Sequence, residues 1–125
     1  PTPQRFAMVR DALDEARAAA PVDGVFATDD LAAAEVLEWA RTRNLSVPTD
    51  LSIIGFDGTE TMRRALPHLA TIRQPIEEIA RAAVSILLDQ IEGKAPRSSS
   101  DEAGAPHAQT VEFSGTLIQG RSINA

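Results

Sequence analysis

Two acidic strand ends carry the chemistry this sequence offers. Gly24-Val25-Phe26-Ala27 runs into Thr28-Asp29-Asp30, and Ile53-Ile54-Gly55-Phe56 runs into Asp57-Gly58. In an open parallel sheet, small molecules bind beyond the carboxyl ends of the strands. A carboxylate there accepts hydrogen bonds from neighbouring sugar hydroxyls or from a nucleobase edge, and such charge-assisted bonds are the stronger kind. Asp57 is the sharpest candidate, the alternative being an Asp that caps the helix after it. Thr28, Asp29 and Asp30 are all ordinary N-cap residues. Two of them are expected to cap or face solvent, with one turned to a ligand, and their types do not choose which.

Other chemistries fit less well. Asp29, Asp30 and Asp57 together suggest a Mg²⁺ site, since hard cations take carboxylate oxygens. Only one helix separates the pair from the third Asp, however, and the one Lys, Lys94, lies far from any strand end. His68 and His107 are too isolated for a metal pair or a triad. There is no Gly-x-Ser-x-Gly elbow and no Gly-rich phosphate loop, so neither a nucleophilic enzyme nor a cofactor is expected. Trp39, at the edge of its helix's apolar face, is placed for core or interface packing in preference to stacking on a ligand. The arginines are scattered and outweighed by acid.

The elements that must position these residues follow from periodicity and punctuation. Phe6, Val9, Leu13, Ala16 and Ala20 recur at helical spacing over 4–20, before Pro21. A short strand is expected over Val25–Ala27. A helix should begin near Asp30 and run to Arg43, with Ala32, Ala33, Val36, Leu37 and Ala40 on one face, Glu35, Glu38 and Thr42 opposite, and Asn44 as a left-handed stop. Leu51–Phe56 reads as a strand buried on both faces of a parallel sheet, completing a right-handed βαβ crossover. A short helix or turn then reaches Leu66, and Leu69–Ile72 reads as a further strand. Ile76, Ile79, Ala80, Ala83, Ile86, Leu87 and Ile91 make the clearest helix, with Pro75 and two glutamates at its start and Gly93 at its stop. Residues 94–109 are expected to form a mobile loop. Val111–Gln119 returns to strand character, broken by Gly115.

Composition sets the frame. The 125 residues suffice for one small domain, with 43% hydrophobic but only 4% aromatic residues, so Ala, Leu, Ile and Val must build the core. The net charge of -6 disfavours a chain that itself grips a phosphate backbone. With no Cys there is no disulfide framework and no thiolate site. No apolar run approaches the roughly 20 residues that span a bilayer, and no signal-peptide pattern opens the chain. The start at Pro1, without Met, is that expected of a fragment or processed product.

Four ordered segments bring a resemblance into view. They are Val25-Phe26-Ala27-Thr28-Asp29-Asp30-Leu31-Ala32, then Leu45-Ser46-Val47-Pro48-Thr49-Asp50-Leu51-Ser52-Ile53-Ile54-Gly55-Phe56-Asp57, then Leu69-Ala70-Thr71-Ile72-Arg73-Gln74-Pro75, and Gly115-Thr116-Leu117-Ile118-Gln119-Gly120-Arg121-Ser122. From Asp23 to Ser122 the chain resembles LacI/GalR-type bacterial regulators, in order and in spacing. The resemblance implies an α/β fold of the periplasmic-binding-protein type, with a ligand cleft between two subdomains. It implies that residues 1–125 are the C-terminal portion of an effector-binding and dimerisation domain without its DNA-binding headpiece. It places Asp57 at an effector-binding Asp, Thr28 where many members carry a cleft-facing Asn, Asp29 at a helix cap, and Ile76 and Ile79 at apolar cleft walls. Gly58 replaces a frequent second Asp. It assigns Ala33, Leu37, Met62 and Leu66 to a dimer interface. The implied function is sensing of a sugar or similar metabolite by a non-enzymatic, cytoplasmic, homodimeric transcriptional regulator that reaches operator DNA through its headpiece. The alternatives are a sugar-binding protein of a transporter and, more distantly, a phospho-receiver domain.

Overall fold

The computed structural model describes residues 3–94 and 110–124. It separates into two units, Pro1–Gln74 with Gly115–Ala125, and Pro75–Ser114. The first carries helices α1 (Pro3–Ala19), α2 (Asp30–Thr42) and α3 (Glu60–Ala65), and strands β1 (Gly24–Phe26), β2 (Ser52–Asp57), β3 (Ala70–Arg73) and β4 (Thr116–Ile118). The second carries α4 (Ile76–Ile91).

The four strands form one sheet in the order β1-β2-β3-β4. The first three run parallel, Val25 lying opposite Ile53 and Asp57 opposite Arg73. β4 is antiparallel to β3, so the parallel unit expected from the sequence gains one reversed edge strand. That strand is shorter than the Val111–Gln119 run suggests, because only 116–118 pair with β3.

The helix boundaries follow local chemistry. Asp29 caps α2, its Oδ1 accepting the Ala32 N–H at 2.7 Å, and Asn44 leaves the helix at φ 55. Thr59 caps α3 through the Met62 N–H at 3.3 Å. Trp39, Val36, Ala33 and Ala40 of α2 pack with Leu51, Ile53 and Leu69 into one core, joined by Val9 and Leu13 of α1. Ala16 and Ala20, expected on the same stripe of α1, are exposed.

Three expectations need correction. β2 is not buried on both faces. Ile53 and Gly55 point to α2, while Ile54 and Phe56 on the other face are half-buried. Glu35, expected opposite the apolar face of α2, is buried; α2 contacts both β2 and α1, which widens its covered arc. Trp39 lies not at an edge but fully inside, its Nε1–H donating to Asp14 of α1 at 3.0 Å. The segment expected to be a mobile loop lies, from residue 95 to 109, outside the described residues, as does His107.

α4 has the bounds its apolar stripe suggests, with Pro75 at its N-cap and Glu77 and Glu78 in its first turn. None of its residues is buried. Ile76, Val84, Leu87, Leu88 and Ile91 are exposed.

Candidate functional site

The site is built at the carboxyl ends of β1, β2 and β3. Each strand hands its last backbone groups to a neighbour: the Ala27 N–H donates to the Ile54 carbonyl at 2.8 Å, and the Gln74 N–H to the Asp57 carbonyl at 3.3 Å. Thr28, Asp57 and Gln74 therefore leave adjacent strands at the same sheet edge.

Asp57 sits there in an unusual backbone. Its φ is 107, in the left-handed region that favours glycine. A non-Gly residue so placed costs on the order of 1–3 kcal/mol, and such outliers concentrate at functional sites. Its carboxylate is half-buried, and Oδ1 accepts the Gln74 Nε2–H at 2.6 Å. Among the described residues Gln74 is its one side-chain partner, which leaves acceptor capacity for a hydroxyl. Gly58 follows with φ 61, and a Cβ there would meet Arg73 Cα at 2.8 Å. This is a turn that requires glycine at that position.

Beneath the edge lies Asp30, 2% exposed. Its Oδ2 accepts the Gly58 N–H at 3.0 Å and its Oδ1 the Thr71 hydroxyl at 2.6 Å. A buried carboxylate is costly unless hydrogen-bonded, and here both oxygens are satisfied. Gly55 makes the room, since a Cβ on it would lie 2.3 Å from Asp30 Oδ1. Sequence reasoning named Asp30 only as a cap, ligand or cation candidate, and missed its buried bridging role and its partner Thr71. The signal was the glycine inside an otherwise bulky strand, a mark of close approach.

A second buried hydroxyl fastens the chain end. Ser122 Oγ donates to the Ile53 carbonyl at 2.6 Å and accepts the Ala70 N–H at 2.8 Å. Gly120 beside it has no room for a Cβ, which would lie 2.4 Å from Ala70 N. Ser122 thus bridges the starts of β2 and β3 through their backbone atoms.

The acidic trio is now separable. Asp29 caps α2, Asp30 is turned inward, and Asp57 faces the strand ends. The Mg²⁺ reading fails on this geometry, and among the described residues no group of three His, Cys, Asp or Glu side chains is placed to hold a metal. Thr28 is exposed at the edge beside them. Ile76, 58% exposed, and the half-buried Ile79 lie on α4 in the second unit. His68 is exposed, and its carbonyl accepts the Arg121 N–H at 2.8 Å.

The residues assigned to a dimer interface divide. Ala33 is withdrawn from it: at 0% exposure it is sealed against the sheet, with its Cβ in contact distance of the Gly55 position. Leu37 and Leu66 are half-buried and line an apolar groove of about 470 Å³ with Val47, Pro67 and Leu69. Met62 is half-buried on α3.

Comparison with known proteins places this geometry. The family model described as a periplasmic binding protein-like domain matches residues 2–123. The sucrose operon repressor of Streptococcus mutans is 43% identical over 70 residues, covering 56% of this chain and 22% of the repressor. The HTH-type transcriptional repressor CytR of Escherichia coli K12 is 44% identical over 80 residues, covering 64% of this chain and 24% of CytR. The structure of the transcriptional regulator CelR with cellobiose superposes with a TM-score of 0.71 at 26% identity, over 94% of this chain and 32% of that one. The chain thus spans less than a third of the length of these relatives. The relatives are repressors and regulators, which does not favour the transporter reading. The chain belongs to the periplasmic binding protein-like domain family, and it is similar to transcriptional repressors and regulators.

Proposed function

We propose that this chain supplies one wall of the effector cleft, and part of the dimer contact, of a LacI-type transcriptional regulator. The observation that carries the reading is Asp57, a strained, half-buried carboxylate at the edge where three parallel strands end. Its effector is a sugar or a similar polyhydroxylated metabolite. The cellobiose complex of CelR and the sucrose operon repressor support that class. Asp57 accepts effector hydroxyls, and Thr28 offers a hydroxyl from the neighbouring strand end. A non-enzymatic role is supported by the relatives, which are transcriptional repressors and regulators.

In the whole regulator, effector binding biases one arrangement of two subunits over another, and so shifts operator affinity. The acidic chain takes no part in gripping DNA, which belongs to a separate headpiece acting in the cytoplasm. Leu37, Met62 and Leu66 form the apolar contact of a homodimer.

Calorimetric titration of the intact regulator with cellobiose and with sucrose tests the reading. Asp57→Ala is expected to weaken binding by about ten- to a hundredfold, as loss of a charge-assisted hydrogen bond of about 1.5–3 kcal/mol requires. Unchanged affinity in that variant sinks the assignment.

A further inference from the structure

We infer that Asp30 is the positioning residue that holds Asp57 in its ligand-ready backbone. The inference rests on the function proposed for Asp57 and extends it to a residue that touches no ligand.

Asp57 has φ 107 and the next residue, Gly58, has φ 61. Two successive positive values reverse the chain just where β2 ends. Such a conformation persists only when its surroundings over-determine it. The groups that do so here are few. The Gln74 N–H holds the Asp57 carbonyl, and the Gly58 N–H is held by Asp30 Oδ2 at 3.0 Å. The Gly58 bond is buried, so its replacement by water is not available. Asp30 in turn is held by the Thr71 hydroxyl at 2.6 Å, from β3, which lies between β2 and β4.

The carboxylate therefore ties three pieces together: the start of α2 just past Thr28, the turn after β2, and β3 three residues before Gln74. Those are the pieces that carry Thr28, Asp57 and the Gln74 amide that orients the Asp57 side chain. Length is set as tightly as type. The Cβ-free Gly55 lies directly against Asp30 Oδ1, so a Glu has no room. An Asn, by contrast, can present its oxygen to Gly58 and its amide hydrogens to the Thr71 oxygen, which the hydroxyl rotor permits.

The test begins with NMR of the 125-residue chain, whose Asp57 amide–Hα coupling reads φ without any ligand. The wild-type coupling should be the small value that a φ of 107 gives. Asp30→Ala is expected to raise it toward extended-strand values and to shift the Gln74 side-chain amide, while Val36 and Trp39 in α2 keep their signals. Asp30→Asn is expected to restore the wild-type coupling. Thr71→Val, which removes only one of the two donors, should move the Gly58 and Asp57 signals in the same direction to a smaller extent, and it serves if Asp30→Ala does not fold. An unaltered Asp57 coupling in the folded Asp30→Ala chain, or in Thr71→Val where Asp30→Ala does not fold, overturns the inference. So does an Asp30→Asn chain that behaves like Asp30→Ala. In the intact regulator, Asp30→Ala should weaken cellobiose or sucrose binding about tenfold with Asp30→Asn near wild type. If neither sugar binds the wild type, the effector reading fails while the coupling still judges the role of Asp30.

Discussion

Three side chains, Asp30, Asp57 and Ser122, show how differently one polar group can be used. Asp57 is half-buried at an edge and retains capacity to accept. Asp30 and Ser122 are almost wholly buried; Asp30 spends its capacity on the Gly58 N–H and the Thr71 hydroxyl, Ser122 on the backbone of β2 and β3. The glycines beside them are equally specific. Gly120→Ala puts a Cβ onto the main chain of β3, which cannot yield as a flexible side chain would. We expect a loss of about 1–3 kcal/mol, the usual cost of overpacking, read as a lower urea midpoint with an unchanged slope. Gly93→Ala is the matching control. Its added Cβ meets nothing within 4 Å, so only the positive φ of 67 opposes it. The positions of Asp57 and Thr28 at strand ends were legible in the sequence because a strand end followed by polar residues is a local pattern. The bridging role of Asp30 was not, because its neighbours in sequence are cap residues and its partners lie 28 and 41 positions away.

At the scale of elements, α1 is fastened to α2 through Asp14. That carboxylate accepts from Trp39 Nε1 at 3.0 Å and from Arg43 Nε at 3.0 Å. The Arg43 hydrogen bond, with the Trp39 bond next, holds the Asp14 carboxyl below its ordinary range. A carboxyl whose folded-state value is depressed contributes stability above its unfolded value, near about 3.9. That contribution is lost as pH falls through the folded-state value. The expected outcome is an acid-induced change in fluorescence of Trp39, the one Trp in the chain, as α1 detaches. In Asp14→Asn the part of that change due to α1 docking should disappear. An identical acid titration in the two proteins would show that the docking does not depend on this charge. Helix and strand positions were largely readable at this scale. α2 and α4 start and stop where Asp29, Asn44 and Pro75 indicate. What misled was face assignment. A period of 3.6 reports one partner surface, whereas α2 has two, so Glu35 came out buried. The even apolar run of β2 promised two covered faces, and only the Ile53–Gly55 face is sealed by α2.

For the whole molecule, the decisive point is that a cleft needs two walls. In the function proposed above Asp57 and Thr28 supply one, and the chain covers less than a third of these repressors. The 125-residue chain by itself is therefore expected to bind cellobiose and sucrose weakly or not at all in calorimetry. Tight binding by this chain alone would require that it completes the cleft unaided. The dimer contact is testable in the intact regulator through Met62, which is half-buried and outside the core cluster. Met62→Arg should move the protein from dimer toward monomer in analytical ultracentrifugation, without lowering its thermal midpoint by more than a few degrees. A dimer indifferent to that charge would remove α3 from the interface.

The sequence by itself determined the α/β class, the parallel order of the first strands, the helix caps and the family, because these rest on periodicity, turn chemistry and motifs of ten or so residues. Only the tertiary structure decided that β4 reverses direction, that Ala33 belongs to the core and not to an interface, and that Asp30 and Ser122 lock the strand ends. Those outcomes depend on pairs 22 to 69 residues apart. Their energy is realised only once water has been excluded between them, and no local pattern encodes that.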